Sequence, residues 1–130
     1  MTEAQQQTIC ELLETLNPTT VRHGACKGAD TQFHQLAFLN SRANIIIHPP
    51  TDKRHATVFG RGSRITILPD DEYHVRNRAI VDATKTLIAA PKEAEEQPRG
   101  GTWYTVRYAR SVGKDVMLVK PDGTVRLMNG

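Results

Sequence analysis

Seven residues, Gly24-Ala25-Cys26-Lys27-Gly28-Ala29-Asp30, set two glycines, a lysine and a thiol between a β-branched run and a helical pattern. Glycines let backbone amides turn toward an anion and approach it closely, and a helix N-terminus adds positive partial charge. Lys27 adds a full one, so the chemistry these types suit is the holding of a phosphate, with Gly24, Cys26, Lys27, Gly28 and Asp30 as candidate ligand-binding residues. The spacing is neither the phosphate loop that ends in Gly-Lys-Ser/Thr nor the dinucleotide pattern G-x-G-x-x-G, and a plain tight turn uses the same residues equally well. A second loop, Arg99-Gly100-Gly101-Thr102, has the same form ahead of a later helical stretch. Two such loops at the carboxyl ends of parallel strands converge on one crevice, which is where open α/β sheets take their ligands.

Arg76-Asn77-Arg78 is the next candidate. Arginine forks suit phosphate or carboxylate and asparagine reads a base or ribose edge, although paired arginines equally describe a solvated helix face. His23, His34 and His48 fall near strand ends and a helix start, and His48 joins the candidate ligand-binding set. No His-x-x-x-His or Cys-x-x-Cys spacing is present, so no metal site is expected and no cofactor is required. Trp103 and Tyr104 stand just inside a helix start, where aromatic rings either stack on a base or enter the core.

The elements that must position these residues follow from periodicity. Ile9, Leu12, Leu13 and Leu16 have the spacing of one buried helical stripe, begun by Thr2 and Glu3 and ended at Asn17-Pro18. Thr19 to Arg22 reads as a strand feeding the first glycine loop. Asp30 or Thr31 caps a second helix that buries Phe33, Leu36, Ala37 and Asn40, and Asn44 to Ile47 is an apolar strand of the kind covered on both faces. From His48-Pro49-Pro50 to Pro69 no period appears; the stretch after Lys53 is basic without an acid, and a loop of that length is a candidate lid or clamp. Ile65 to Leu68 suggests a short strand inside it, and Asp70 to Lys85 a third helix burying Ile80, Val81 and Thr84. Thr86 to Ala90 is a strand, Glu93 to Glu96 a solvated loop, and Thr102 begins a fourth helix that Gly113 closes. Asp115 to Val119 and Thr124 to Met128 form a hairpin about Pro121-Asp122-Gly123. Recurring strand, glycine loop and helix predict an α/β fold: a Rossmann-like open, mainly parallel sheet with helices on both faces and a C-terminal β-hairpin.

Composition sets the outer limits. The 130 residues make one domain, and 38% apolar with 24% charged residues is ordinary for a globular chain. Runs such as Ile45-Ile46-Ile47 are too short to span a bilayer, and no secretory hydrophobic region follows Met1. Cys10 and Cys26 form no disulfide framework, so a reducing, cytoplasmic setting is expected. Seventeen Lys and Arg against 14 Asp and Glu give +3, which permits an anionic partner without demanding one.

Taken together, the stretches HGACKGADTQFH at His23 to His34, IIHPP at Ile46 to Pro50, RNRAIV at Arg76 to Val81, LIAAP at Leu87 to Pro91, RGGTWYTVRYAR at Arg99 to Arg110 and VKPDG at Val119 to Gly123 resemble the SLOG superfamily. These are the Rossmann-like proteins named for the DNA-processing protein A and the lonely guy cytokinin-activating enzymes; more narrowly, the chain is similar to small bacterial and phage members. The resemblance implies a nucleotide or nucleotide-derivative site built from the two glycine loops, with Gly24, Gly28, Asp30, Gly100, Gly101 and Thr102 at matching positions. It also implies two departures. Lonely guy enzymes carry a catalytic glutamate three residues after the Gly-Thr turn, where this chain has Thr105, and Thr102 to Lys114 contains no carboxylate. Relatives also open with a strand and a Thr-Gly-Thr-Arg-like turn ahead of a Met-Thr like Met1-Thr2, so the sheet is expected to have a gap or open edge that a second copy of the chain covers.

The expected function is the binding of a nucleotide-type ligand, for sensing or sequestration, with no catalytic residue assigned. The alternatives are a nucleotide or N-glycosidic hydrolase, against which Thr105 weighs, and a DNA-binding domain, against which the small net charge weighs.

Overall fold

The computed structural model describes residues 1–129 as a mixed α/β chain: α1 (Glu3–Leu16), β1 (Thr20–His23), α2 (Ala29–Asn40), β2 (Asn44–Ile47), β3 (Ile65–Ile67), α3 (Tyr73–Asp82), β4 (Thr86–Ala89), α4 (Gly101–Ser111), β5 (Asp115–Val119) and β6 (Val125–Met128). Helix α1 begins at a capping box, in which Thr2 Oγ1 accepts from the Gln5 amide while Gln5 Oε1 accepts from the Thr2 amide. It ends where Asn17 turns left-handed at φ 45°.

The strands form two three-stranded sheets, ordered β1-β2-β3 and β4-β5-β6. The first is parallel throughout; in the second β4 runs parallel to β5, and β6 returns antiparallel with Val119 opposite Val125. No ladder joins the two sheets among the described residues, so β1 and β4 each pair on one side only. They nevertheless share a core. Val21 of β1 and Ile45 and Ile47 of β2 pack with Ile9 and Leu13 of α1, and Ile88, Ala90 and Val119 from the second sheet lie against the same cluster. A second cluster joins Val81 of α3 and Trp103, Val106 and Ala109 of α4 to Ala89, Val116 and Leu118. Alternate residues of β4 and β5 thus face different helix pairs, as the period-two geometry of a strand requires.

Several expected boundaries shift for identifiable reasons. Helix α3 starts at Tyr73 rather than Asp70 because Glu72 caps it, its carboxylate accepting from the amides of His74 and Val75. Helix α2 is capped by neither Asp30 nor Thr31: its N-cap is Gly28, at φ 88°, with no side-chain hydrogen bond. Its buried residues are His34 and Ala37, while Asn40 is exposed. The segment Glu93 to Glu96 is more than a solvated loop, since Trp103 Nε1 donates to Glu93 at 3.3 Å and Arg107 pairs with Glu96.

One buried amide fastens α1 to the second sheet. Gln5, 2% exposed, donates from Nε2 to the carbonyls of Pro91 (2.8 Å) and Val119 (3.0 Å), at the carboxyl ends of β4 and β5. Gln5→Leu keeps the volume but strands both carbonyls, and should lower the unfolding free energy by about 1–3 kcal/mol. Urea titration checks this, with Gln7→Ala on the exposed face expected to stay within about 0.5 kcal/mol of the parent.

Candidate functional site

Both glycine loops do lie at carboxyl ends of parallel strands, and each borders the first turns of α3. The N-terminal loop is closed on itself. The Ala25 amide donates to His23 Nδ1 (3.0 Å), the Cys26 amide to Asp30 Oδ2 (3.0 Å) and the Lys27 amide to the His55 carbonyl (2.8 Å). The Ala25, Cys26 and Lys27 amides are therefore occupied by the protein, and Asp30 serves the loop rather than the helix end. The Lys27 side chain is exposed.

The partner that closes this loop comes from the long basic connection. β2 and β3 run parallel, so residues 48–64 must carry the chain back, and in doing so they cross the glycine loop. Cys26 bridges Ala56, the Thr57 amide donates to the Ala25 carbonyl (2.8 Å), and Thr31 and Thr57 share a hydroxyl hydrogen bond of 2.8 Å. Phe59 lies against His34 with centroids 4.2 Å apart. The charges of this segment are largely engaged: Lys53 pairs with Asp70, Arg54 with Asp52, and Arg64 donates to the carbonyls of Phe38, Ser41 and Ala43.

The centre of the site is Arg76. It is 2% exposed, not on a solvated helix face, and none of the ion pairs among the described residues includes it. Nη1 donates to the carbonyls of Gly24 and His48, Nη2 lies 3.6 Å from Cys26 Sγ, and the buried Nε has no partner. Gly24 is explained by this contact, because a Cβ there would overlap the guanidinium. The guanidinium carbon lies over the Tyr73 ring, 5.1 Å from its centroid, and the Tyr73 hydroxyl occupies the space a side chain on Gly101 would need. Helix α4 follows Gly100, at φ 108°, without a side-chain cap. Arg76 and Tyr73 thus connect the two loops, and the room left by Gly24 and Gly101 is filled by side chains of α3.

Two cavities adjoin Arg76. One of about 150 Å³ is bordered by Cys26, Pro50, Asp52, His55 and Tyr73. The other, about 310 Å³, lies on the side of His48 and the loop before α3. Arg76 is the residue common to both. Asn77 is half-buried beside it on α3, Arg78 donates to the Tyr104 hydroxyl (3.2 Å), and Arg99 is exposed. Trp103 is a core residue, 2% exposed, and the hydroxyl of Thr105 donates back to the Gly101 carbonyl at 2.8 Å. Helix α4 carries no carboxylate. Among the described residues no group of three His, Cys, Asp or Glu side chains gathers as a metal site.

The environments of His23 and His48 disfavour their charged forms. His23 Nδ1 accepts the Ala25 amide, which places the proton on Nε2, the atom 2.9 Å from His34 Nδ1. Arginine only donates, so His48 Nε2 accepts from Arg22 at 3.1 Å. Burial, with Arg76 among the nearby charges, lowers His23 to about 4. Burial together with Arg22 and Arg76 lowers His48 to about 4 as well. Burial above all raises the Cys26 thiol. Sequence reasoning did not anticipate Tyr73 or the pairing of residues 55–57 with the glycine loop; Phe59, the lone aromatic of an otherwise polar stretch, was the available signal.

No family model, curated protein or solved structure matches the chain.

Two outcomes follow. Unfolded histidines titrate near 6.5 and the folded pair near 4, so between these values the unfolded state binds more protons. Stability should be full above about pH 6.5 and fall toward pH 4 by up to about 1.4 kcal/mol per pH unit for each histidine, a slope that His48→Gln reduces in urea titrations across that range. Gly24→Ala should cost about 1–3 kcal/mol in the parent and much less in an Arg76→Met background, because the added methyl then meets a flexible thioether. A double-mutant cycle with no coupling would contradict the close approach.

Proposed function

We propose that the chain binds a nucleotide or nucleotide-derived ligand whose phosphate pairs with Arg76. The observation that carries this reading is a guanidinium buried without any carboxylate partner, its Nε unpaired, in the wall of two cavities. A buried cation is expensive unless paired, and an anion entering either cavity supplies the missing partner. With Nη1 engaged by the Gly24 and His48 carbonyls and one Nη2 donor near Cys26 Sγ, the second Nη2 donor is the one left for a phosphate oxygen.

Secondary support comes from the helix starts. Helices α1 and α3 begin at side-chain caps, whereas α2 and α4, which follow the glycine loops, begin at glycines without one. Their positive ends add to the field that favours an anion. Parallel pairing of β1 with β2 and of β4 with β5, with helices between the strands, supports the Rossmann-like reading, and the β5–β6 return supports the terminal hairpin. The anchoring role shifts, however, from the amides of the first loop to the Arg76 side chain.

The alternatives fare less well. A hydrolase of the lonely guy type needs a carboxylate on α4, and Thr105 hydrogen-bonds its own helix. DNA binding needs a free cationic stripe, while Lys53, Arg54 and Arg64 already have partners.

The test is a thermal-shift panel of nucleotides, cyclic nucleotides and ADP-ribosyl compounds on the parent and on Arg76→Met. Removing a buried charge that has no ion-pair partner offsets the loss of the hydrogen bonds to the Gly24 and His48 carbonyls and to Cys26 Sγ, so the variant should remain folded, within about 1–2 kcal/mol of the parent. At least one phosphorylated compound should raise the parent's melting temperature and leave that of Arg76→Met unchanged. No shift with any compound, or equal shifts in both proteins, would refute the proposal.

A further inference from the structure

Arg76 is 2% exposed, and its Nη2 lies beside Cys26, a residue that borders the smaller cavity and not the larger. Access to that nitrogen is therefore governed by what covers the smaller cavity. Three of the bordering residues, Pro50, Asp52 and His55, belong to the connection after β2. His55 and the four residues after it then cross the glycine loop as a strap, with Ala56 bridged to Cys26.

This strap is held at few points. Two backbone hydrogen bonds attach it, from the Lys27 amide to the His55 carbonyl and from the Thr57 amide to the Ala25 carbonyl, each 2.8 Å. The Thr31 and Thr57 hydroxyls add a third. Its large apolar anchor is Phe59, which packs against the first core cluster with its ring centroid 4.2 Å from that of His34 and 5.2 Å from that of His23. Elsewhere the segment leaves the core: Val58 is 95% exposed, and a Cβ on Gly60 would meet nothing within 4 Å. A segment with a few surface hydrogen bonds and a single large apolar anchor lies at the low end of local stability, so it parts from the loop while the core beneath stays closed.

We propose that residues 55–59 are a cover that opens as a unit, anchored by Phe59 against His23 and His34, and that its opening admits an anion to Arg76 Nη2. The opening follows from the contacts of the strap alone, whereas the admission of an anion rests on the phosphate reading above. In the open form the Lys27 and Thr57 amides pass to water together, because one crossing satisfies both. Cys26 Sγ, at the crossing and in the cavity wall, is uncovered in the same step. Cys10, the other free thiol, is half-buried on α1 and reports on the rest of the molecule.

The experiment is alkylation of the whole chain with N-ethylmaleimide under native conditions, both cysteines being followed by peptide mass spectrometry in the same sample. Phe59→Ala should speed modification of Cys26 at least about tenfold and leave Cys10 within about twofold of the parent. Thr57→Val removes one hydroxyl hydrogen bond and should speed Cys26 by about two- to tenfold, again without Cys10. Equal rises at both cysteines in Thr57→Val, or no rise at Cys26 in either variant, would overturn the cover. Inorganic phosphate should slow alkylation of Cys26 in the parent and leave it unchanged in Arg76→Met. Phosphate without effect in the parent, or with the same effect in both proteins, would instead overturn the entry of an anion beneath the strap and count against the phosphate reading, while the cover itself stands.

Discussion

A positive charge that none of the ion pairs among the described residues includes, enclosed at the carboxyl ends of β1 and β2, is the constraint around which this molecule is arranged. Desolvating a guanidinium is tolerable only when its donors find acceptors. Here the carbonyls of Gly24 and His48 provide them, so β1 and β2 must end side by side, with α3 directed at the point where they do. Gly24 must lack a side chain to admit the guanidinium, and Tyr73, one helical turn earlier, lies over its face. Gly101 must in turn lack one to admit Tyr73. Two glycines far apart in sequence thus answer to adjacent turns of a single helix.

That arrangement revises the ordinary reading of glycine between strand and helix. In the first loop the glycine makes space and the amides serve the protein: His23, Asp30 and the His55 carbonyl take them in succession. The loop is tied to its own side chains and to the connection that follows β2. It supports Arg76 as a scaffold and leaves the electrostatic work to a side chain, whose charge exceeds the partial charge of any helix end. The neutral histidines beside it belong to the same economy, since imidazoles buried next to arginine would only add repulsion if protonated.

What could be seen in the sequence was what local pattern encodes. Ile9 and Leu13 at helical spacing, Thr2 at the start of α1, Asn17 at its end and the apolar triplet Ile45 to Ile47 all appear where periodicity and capping chemistry put them. The division into two three-stranded sheets, with no ladder between them among the described residues, was not legible in local pattern. Illegible were the features that depend on distant partners. Arg76 is buried because of Gly24, and nothing near it in sequence distinguishes it from Arg78, which reaches Tyr104 at the edge of α4. His34 turns inward because His23 and Phe59 meet it there, joining Phe33, Leu36 and Ala37 on the core while Asn40 stays exposed. Glu93 reads as solvent-facing until the Trp103 indole is placed against it.

The Gln5 latch has one more implication. Among the described residues no backbone ladder joins β1 to β4; the sheets are held together by the core cluster that Val119 shares with Val21, Ile45 and Ile47, and by α1, whose Gln5, Thr2 and Thr8 side chains grip the carbonyls of Pro91, Val119, Pro121 and Gly123. Cooperative units of a protein follow the density of such connections, and a line crossed by few of them opens first. Here packing and side-chain contacts cross the β1/β4 line but no ladder does among the described residues, so the amides along the unpaired edges of β1 and β4 should exchange with solvent ahead of those of β2 and β5, which are paired on both sides.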